Sequence, residues 1–138
     1  MLDLEQRRLR TQAVVSRFQG RPFSWTGRRT CLHLARAQMR AMGHRPPKMP
    51  DLRSALSARS ALLAAGFDDI EGLLDSLLPR IAPASMLIGD LALMDGDGPF
   101  DAIVIAVGGK VFGYAEGYDG LQVIQPVGPQ PFRAAWRV

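Results

Sequence analysis

The sequence predicts an α+β domain in which N-terminal helices pack on one face of a C-terminal antiparallel β-sheet. Residues before position 81 show the apolar spacing of amphipathic helices, and residues after it form short β-prone runs separated by turns. Helices that precede strands, rather than alternate with them, are typical of α+β domains. A chain of 138 residues that is 47% hydrophobic has room for one core. We therefore predict a single domain over residues 1–138, with a helical half at 1–80 and a β-meander half at 81–138.

The first predicted helix covers residues 3–19 and ends at Gly20. Leu9 and Ala13 fall on a second side of this helix, so we expect it to contact two surfaces, one of them on another chain. The side expected to face the core carries Leu4, Thr11, Val14, Val15 and Phe18.

Three more helices are predicted before position 81. One covers residues 31–42 and ends at Gly43, and the next covers 52–65. The last begins at Asp68, where Glu71 three residues later suggests a capping box. Its buried face is expected to contain Ile70, Leu73, Leu74, Leu77 and Leu78.

The second half predicts strands in ALMD, AIVIAV, KVFGYAEG, LQVIQP and FRAAWRV, arranged as an antiparallel meander. Gly108 and Gly109 are interpreted as a hairpin turn. Asp95 and Asp97 resemble part of a calcium loop but lack the spacing and closing Glu of an EF-hand, so a polar hairpin is predicted there. In IGDL, Asp90 is a candidate catalytic carboxylate, but a turn in which it bonds the backbone is favoured.

The charge distribution favours a solvated helical face or a protein interface over a nucleic-acid site. The net charge is +4, and fifteen of the seventeen basic residues are Arg. Fourteen of the seventeen precede position 81, but they lack the interleaved aromatics of a single-strand-binding groove. We therefore expect no nucleic-acid partner.

Several other classes are also excluded by the residue types. The single cysteine cannot form an internal disulfide, and no cysteine or histidine pair has structural-zinc spacing. We expect neither a metal nor a cofactor. The charged N-terminus lacks the apolar core of a signal peptide, and no stretch is long enough for a membrane span. Trp25 and Trp136 are interpreted as core residues by default.

Cys31 is the candidate nucleophile because it begins the predicted 31–42 helix directly after the aromatic loop PFSWTG. Exposed N–H groups and the helix dipole stabilise a thiolate at such a position. Arg28 and Arg29 would add to this effect if they faced the thiol, but as loop residues they are expected to be solvated. His33 points about 200° away around the helix, and His44 lies roughly 20 Å further along. A buried core cysteine on the inward side of the helix is the favoured interpretation.

The order of these motifs resembles a known family. PFSWTG, Cys31, the turn-strand MLIGDLALM, the strand pair AIVIAVGGKVFG and the terminal Ala135–Trp136–Arg137 together resemble the small phage and prophage tail branch of NlpC-type papain-like cysteine peptidases. The resemblance implies a papain-like NlpC-type fold with Cys31 at the nucleophile position. It also implies a catalytic histidine at the start of the second strand, where this sequence has Asp101 or Ala102. A carboxylate there is expected to raise the pKa of a nearby thiol.

Two functions follow from this resemblance. The favoured one is a structural adaptor in a phage tail tip or baseplate that keeps a degenerate peptidase fold, with other tail proteins as partners. The alternative is an active peptidoglycan-cleaving cysteine amidase or endopeptidase that uses Cys31 during cell-wall penetration. Either would be made in the bacterial cytoplasm and then incorporated into the virion tail. The missing imidazole favours the adaptor.

Overall fold

The computed structural model describes residues 2–95, 101–114 and 120–138. Within these ranges the chain is mixed α+β, as predicted, and it contains four α-helices and a six-stranded antiparallel sheet. The helices are α1 (Leu4–Phe18), α2 (Cys31–Ala41), α3 (Ala55–Ala64) and α4 (Ile70–Leu77). The strands are β1 (Arg80–Ile81), β2 (Leu91–Met94), β3 (Ala102–Val107), β4 (Lys110–Tyr114), β5 (Leu121–Ile124) and β6 (Ala134–Trp136).

The sheet is only partly the predicted meander. Strands β2 to β5 follow one another as hairpins, and the β3–β4 turn lies at Gly108 and Gly109 as expected. The strand order is β1-β6-β2-β3-β4-β5, so β6 crosses back to lie between β1 and β2. The prediction that β6 extends the meander was wrong, because turn residues show where the chain reverses but not which distant strand it joins. Asp97 lies outside the described residues, and Asp95 is exposed.

The helices pack on one face of the sheet and form the main core with it. Leu91, Leu93, Ile103 and Ile105 point toward the helices, while Ala92, Val104, Val111 and Ala135 form a smaller cluster on the opposite face. Period-two alternation in β2 and β3 thus divides the apolar residues between two layers. Through this layer α2 packs on β3, an inner strand of the sheet, and the first residue of α2, Cys31, meets Ile103 of β3.

Polar side chains set the helix starts. Asp3 and Gln6 form a capping box at α1, and Ser54 accepts a hydrogen bond from the Ser57 N–H at 3.1 Å and so caps α3. The α4 helix is capped by Asp69, not by Asp68 as predicted, because the Asp69 carboxylate accepts the Gly72 N–H at 2.8 Å. The start of α3 is also later than expected, since Ser54 ends the extended segment that precedes it.

The core face of α1 differs from the prediction at one position. Thr11, Val14, Val15 and Phe18 are buried as expected, but Leu4 is 60% exposed and Arg7 is buried in its place. Leu9 and Ala13 are exposed, so the second side of α1 has no cover within the described part of the chain. No helix of the described residues is long and apolar enough to cross a membrane.

Candidate functional site

Cys31 is the first residue of α2, and the residues around it fix this start. Thr30 is fully buried and is the N-cap: its hydroxyl accepts the His33 N–H at 3.3 Å and lies 2.7 Å from His33 Nδ1. Thr30 therefore fills the capping role for which an acidic or hydroxyl side chain is suited. The helix N-terminus predicted to hold a thiolate is present in the structure.

The thiol of Cys31 is nevertheless kept protonated. The residue is half-buried, and its side chain packs against the main core. Burial raises the pKa of the Cys31 thiol, and this effect outweighs the backbone hydrogen bonds from Ile103, Leu32 and Cys31 itself, which lower it. Burial therefore raises the thiol pKa by more than the helix N-terminus lowers it. This agrees with the prediction, made from the helical pattern, that Cys31 faces inward.

An aromatic group lies beside this cysteine. The loop before α2 closes on itself through paired main-chain bonds between Ser24 and Arg29 at 2.8 and 2.9 Å. This brings Phe23 into edge contact with both Trp25 and Tyr114, at centroid distances of 5.6 and 5.5 Å. The PFSWTG loop is thus held against the end of β4.

Tyr114 cannot replace the missing base. Burial raises its pKa to about 12, against a smaller lowering by Arg29, and the Cys31 charge raises it further. Its hydroxyl makes no hydrogen bond within the described residues, so it does not orient the thiol. A phenol with this pKa stays protonated near neutral pH and cannot accept a proton from the cysteine.

Neither histidine serves as a base for the Cys31 thiol, because each has its contacts elsewhere. The pKa of His33 is lowered first by burial and then by Arg28, Arg29 and Arg36, and its ring is bonded to Thr30. The His44 N–H donates to the Met39 carbonyl at 2.9 Å just past the end of α2. Arg28 and Arg29 therefore lower the pKa of His33, and neither is among the groups that shift the pKa of the Cys31 thiol.

Asp101 precedes β3 and is engaged elsewhere. Its carboxylate forms an ion pair with Arg133, which also lies 4.0 Å from Glu71 and from Asp95. The expectation that this carboxylate raises the thiol pKa was wrong, because burial accounts for the rise. Ile103, two residues further on, is the β3 residue whose backbone bonds the thiol. Strand β3 thus lies beside Cys31, and its described residues include no histidine.

A buried polar cluster was missed by the sequence analysis. Asp90 is fully buried and accepts four hydrogen bonds: on Oδ1 from Arg7 Nη2 (2.6 Å) and the Val138 N–H (3.0 Å), and on Oδ2 from the Leu87 N–H (2.8 Å) and Arg137 Nε (2.9 Å). The predicted turn is confirmed by the Leu87 bond. The two arginines show that Asp90 also ties α1 and β6 to the sheet, a structural role rather than a catalytic one.

The second tryptophan belongs to the core, as predicted. Trp136 has no exposed surface, and its Nε1–H donates to Asp75 Oδ1 at 2.9 Å. Within the described residues no group of three or more His, Cys, Asp or Glu side chains is placed to hold a metal ion.

These features define a small α+β protein with a helix-initial cysteine and no imidazole bonded to it in the described structure. The chain belongs to a family described as a domain of unknown function, DUF6950, whose model matches residues 3–138. No match is found among curated proteins.

Proposed function

We propose that the protein is a structural adaptor of a phage, or phage-like, tail tip or baseplate that keeps a papain-like NlpC-type fold without its peptidase chemistry. The observation that carries the proposal is the state of Cys31. The residue occupies the first position of a helix, as a nucleophile of that fold would, but burial keeps its thiol protonated.

The chemistry of acyl transfer explains why this environment argues against an enzyme. A cysteine hydrolase needs a base to form the thiolate and an acid to protonate the leaving group. The nearby Tyr114 has a pKa of about 12, and the Asp101 carboxylate is paired with Arg133. Neither group can both accept the thiol proton and donate a proton to the leaving group near neutral pH.

Surface features support a role in an assembly. On α1, Leu4 at the first turn and Leu9 on the second side of the helix are 60% and 53% exposed. Strand β5 is an edge of the sheet within the described residues, and its Val123 is 50% exposed. Exposed apolar side chains and an open strand edge are surfaces on which other proteins dock.

A thiol-reactivity experiment tests the loss of peptidase chemistry. Alkylation of Cys31 by iodoacetamide should accelerate only above about pH 8.5, the ordinary range for a thiol, because burial raises its pKa. In parallel, the wild-type protein and Cys31→Ala should both leave purified peptidoglycan unchanged in turbidity. Rapid alkylation at pH 6–7 together with Cys31-dependent clearing would establish the amidase instead.

The proposal places the gene among the tail genes of a phage or prophage, and assembly is tested in that phage. Gene disruption should abolish complete tails, and a Cys31→Ala replacement should restore both tail assembly and infectivity, with the protein detected in purified particles. Normal particles in the disrupted strain, without the protein in them, would contradict the adaptor. Complete but non-infectious Cys31→Ala particles would indicate a catalytic role.

A further inference from the structure

An apolar cavity of about 200 Å³ lies among α2, α3 and α4. Ala35 and Met39 of α2, Ala58 and Ala61 of α3, and Leu74 of α4 contribute to its walls. The segment 46–50, which is Pro-Pro-Lys-Met-Pro, forms another side. Arg36 and Lys48 are the only charged residues among the described residues that line it.

The size of the cavity fits a short apolar group. An apolar cavity of about 150 Å³ is sufficient to bind benzene, so a cavity of about 200 Å³ takes an apolar group of about six to eight carbon atoms. Ligand pockets are typically apolar with a few polar groups that fix orientation. The two charged residues therefore indicate where the polar end of such a ligand would lie.

A strongly basic cleft of about 780 Å³ adjoins this cavity. Arg36, Lys48 and Met49 line both, so the two spaces share a wall. Six basic side chains and His33, but no carboxylate of the described residues, line the cleft. The basic residues are Arg17, Arg28, Arg29, Arg36, Arg40 and Lys48.

The positive charge of this cleft is not neutralised by the protein. None of the six side chains forms an ion pair with a carboxylate within the described part of the chain. Arg36 donates its Nε–H to the Pro47 carbonyl at 3.2 Å, and no hydrogen bond of its two terminal nitrogens occurs among the described residues. The pKa of His33 is lowered first by burial and then by the charges of Arg28, Arg29 and Arg36.

We infer that the cavity and the cleft together form a binding site for a small anionic amphiphile. The apolar chain of the ligand occupies the cavity between α2, α3 and α4, and its carboxylate or phosphate group binds Arg36 and Lys48 at the shared wall. Cys31 lines neither space, although Leu32 and Ile103 beside it line the cavity, and the site does not depend on the proposed adaptor function.

The alternatives fit the two spaces less well. A nucleic acid would need aromatic platforms for its bases, but the only aromatic residue of the described chain that lines the cleft is Phe18, which is 2% exposed and has Arg29 over its ring at 5.0 Å. An inorganic anion would leave the apolar cavity unused, and a neutral hydrocarbon would leave the basic rim unused.

Calorimetric titration of the full chain with octanoate and octyl phosphate tests the site. Both probes should bind, and inorganic phosphate and octanol should each bind at least about tenfold more weakly, because each lacks one of the two contacts. Shortening the carboxylate from eight to six carbons should weaken binding by up to about fourfold per CH₂ group removed. Comparison of the two octyl probes distinguishes a carboxylate from a phosphate headgroup.

Variants separate the tail contact from the headgroup contact. Ala61→Phe should fill the cavity and abolish the dependence on chain length, and Arg36→Gln should weaken octanoate about tenfold. Arg59→Gln is the matched control on the exposed surface of α3, outside both spaces, and should bind like the wild type. Circular dichroism checks that each variant is folded.

Three results would overturn the proposal. They are no heat from either octyl probe with folded wild-type protein, equal binding of phosphate and octyl phosphate, and equal binding of octanol and octanoate. If Ala61→Phe fails to fold, the tail contact is tested by the dependence of affinity on carboxylate chain length in the wild type and in Arg36→Gln. The same dependence is expected in both proteins.

Discussion

Replacement of Asp90 by Ala should be the most destabilising single change in the polar interior. The substitution removes a carboxylate with no exposed surface and leaves four donors without their acceptor. The side chain of Arg7 is 2% exposed, so it cannot regain water, whereas that of Arg137 is 25% exposed and can do so partly. Most of the loss in folding stability should therefore come from the uncompensated charge of Arg7.

The magnitude follows from the burial of that pair. Removing one partner of a buried ion pair costs about 3–5 kcal/mol, because the remaining charge is uncompensated. Arg7 keeps two bonds, from Nε to the Ile88 carbonyl at 2.8 Å and from Nη1 to the Val138 main-chain oxygen at 2.7 Å, which favours the lower half of that range. For 138 residues a loss in this lower half, about 3–4 kcal/mol, corresponds to a fall in Tm of about 10–14 °C.

A double-mutant cycle with Arg7→Met measures the pair directly. The free energy of unfolding is measured in urea by tryptophan fluorescence. The double variant should lose less of it than the two single variants lose together, because neither charge of the pair is left uncompensated. Asp51→Ala, in a surface pair with Arg53 at 3.4 Å, is the control and should change the urea midpoint little. A loss below about 1 kcal/mol for Asp90→Ala, or strict additivity, would refute the reasoning. If Asp90→Ala does not fold, Asp90→Asn replaces it.

Two further predictions concern the sheet and the basic cleft. Gly113→Ala should lower the free energy of unfolding in urea by about 1–3 kcal/mol, because a Cβ on Gly113 would lie 2.6 Å from Val104 Cγ1. The control Gly109→Ala places its Cβ within 4 Å of no atom and should be nearly neutral. Equal effects of the two substitutions would contradict the packing argument. The pKa of His33 is lower in the folded than in the unfolded chain, so stability should be full above about pH 6.5 and fall as the pH decreases through the folded pKa. His33→Gln should remove part of that decline in urea midpoints measured from pH 7.5 to 5, and parallel curves for the two proteins would contradict it.

Local patterns predicted the helices well because each helix start depends on nearby residues. Thr30 and Ser54 are side-chain caps that satisfy main-chain donors within three residues, and the apolar spacing then determines the buried face. Arg7 shows the limit of this approach. It lies four residues before Thr11 on the buried stripe of α1, so its position was visible in the sequence, but its partner Asp90 is 83 residues away. A charged residue on an apolar stripe was the available signal for a buried ion pair.

The site was less predictable than the helices because its properties depend on tertiary contacts. The position of Cys31 at a helix start is suited to a thiolate, whereas its place on the apolar side of the helix favoured a buried thiol. The packing of α2 on β3 shows that the effect of burial is the larger of the two. The pairing of Asp101 with Arg133 likewise depends on the return of β6 beside β2, which no turn residue indicated.

The Asp90 cluster shows how the fold can be maintained independently of chemistry at Cys31. The Gly89-Asp90 turn and Arg137, which contributed to the family resemblance in separate motifs, meet at one carboxylate together with Val138 and with Arg7 of α1. Their shared role is to fix α1 and β6 to the start of β2. Because none of these hydrogen bonds involves Cys31, replacement of the cysteine should leave the cluster intact. The proposed adaptor would therefore need this cluster but not the cysteine. On that proposal, Asp90→Ala should abolish tail assembly, whereas Cys31→Ala should not.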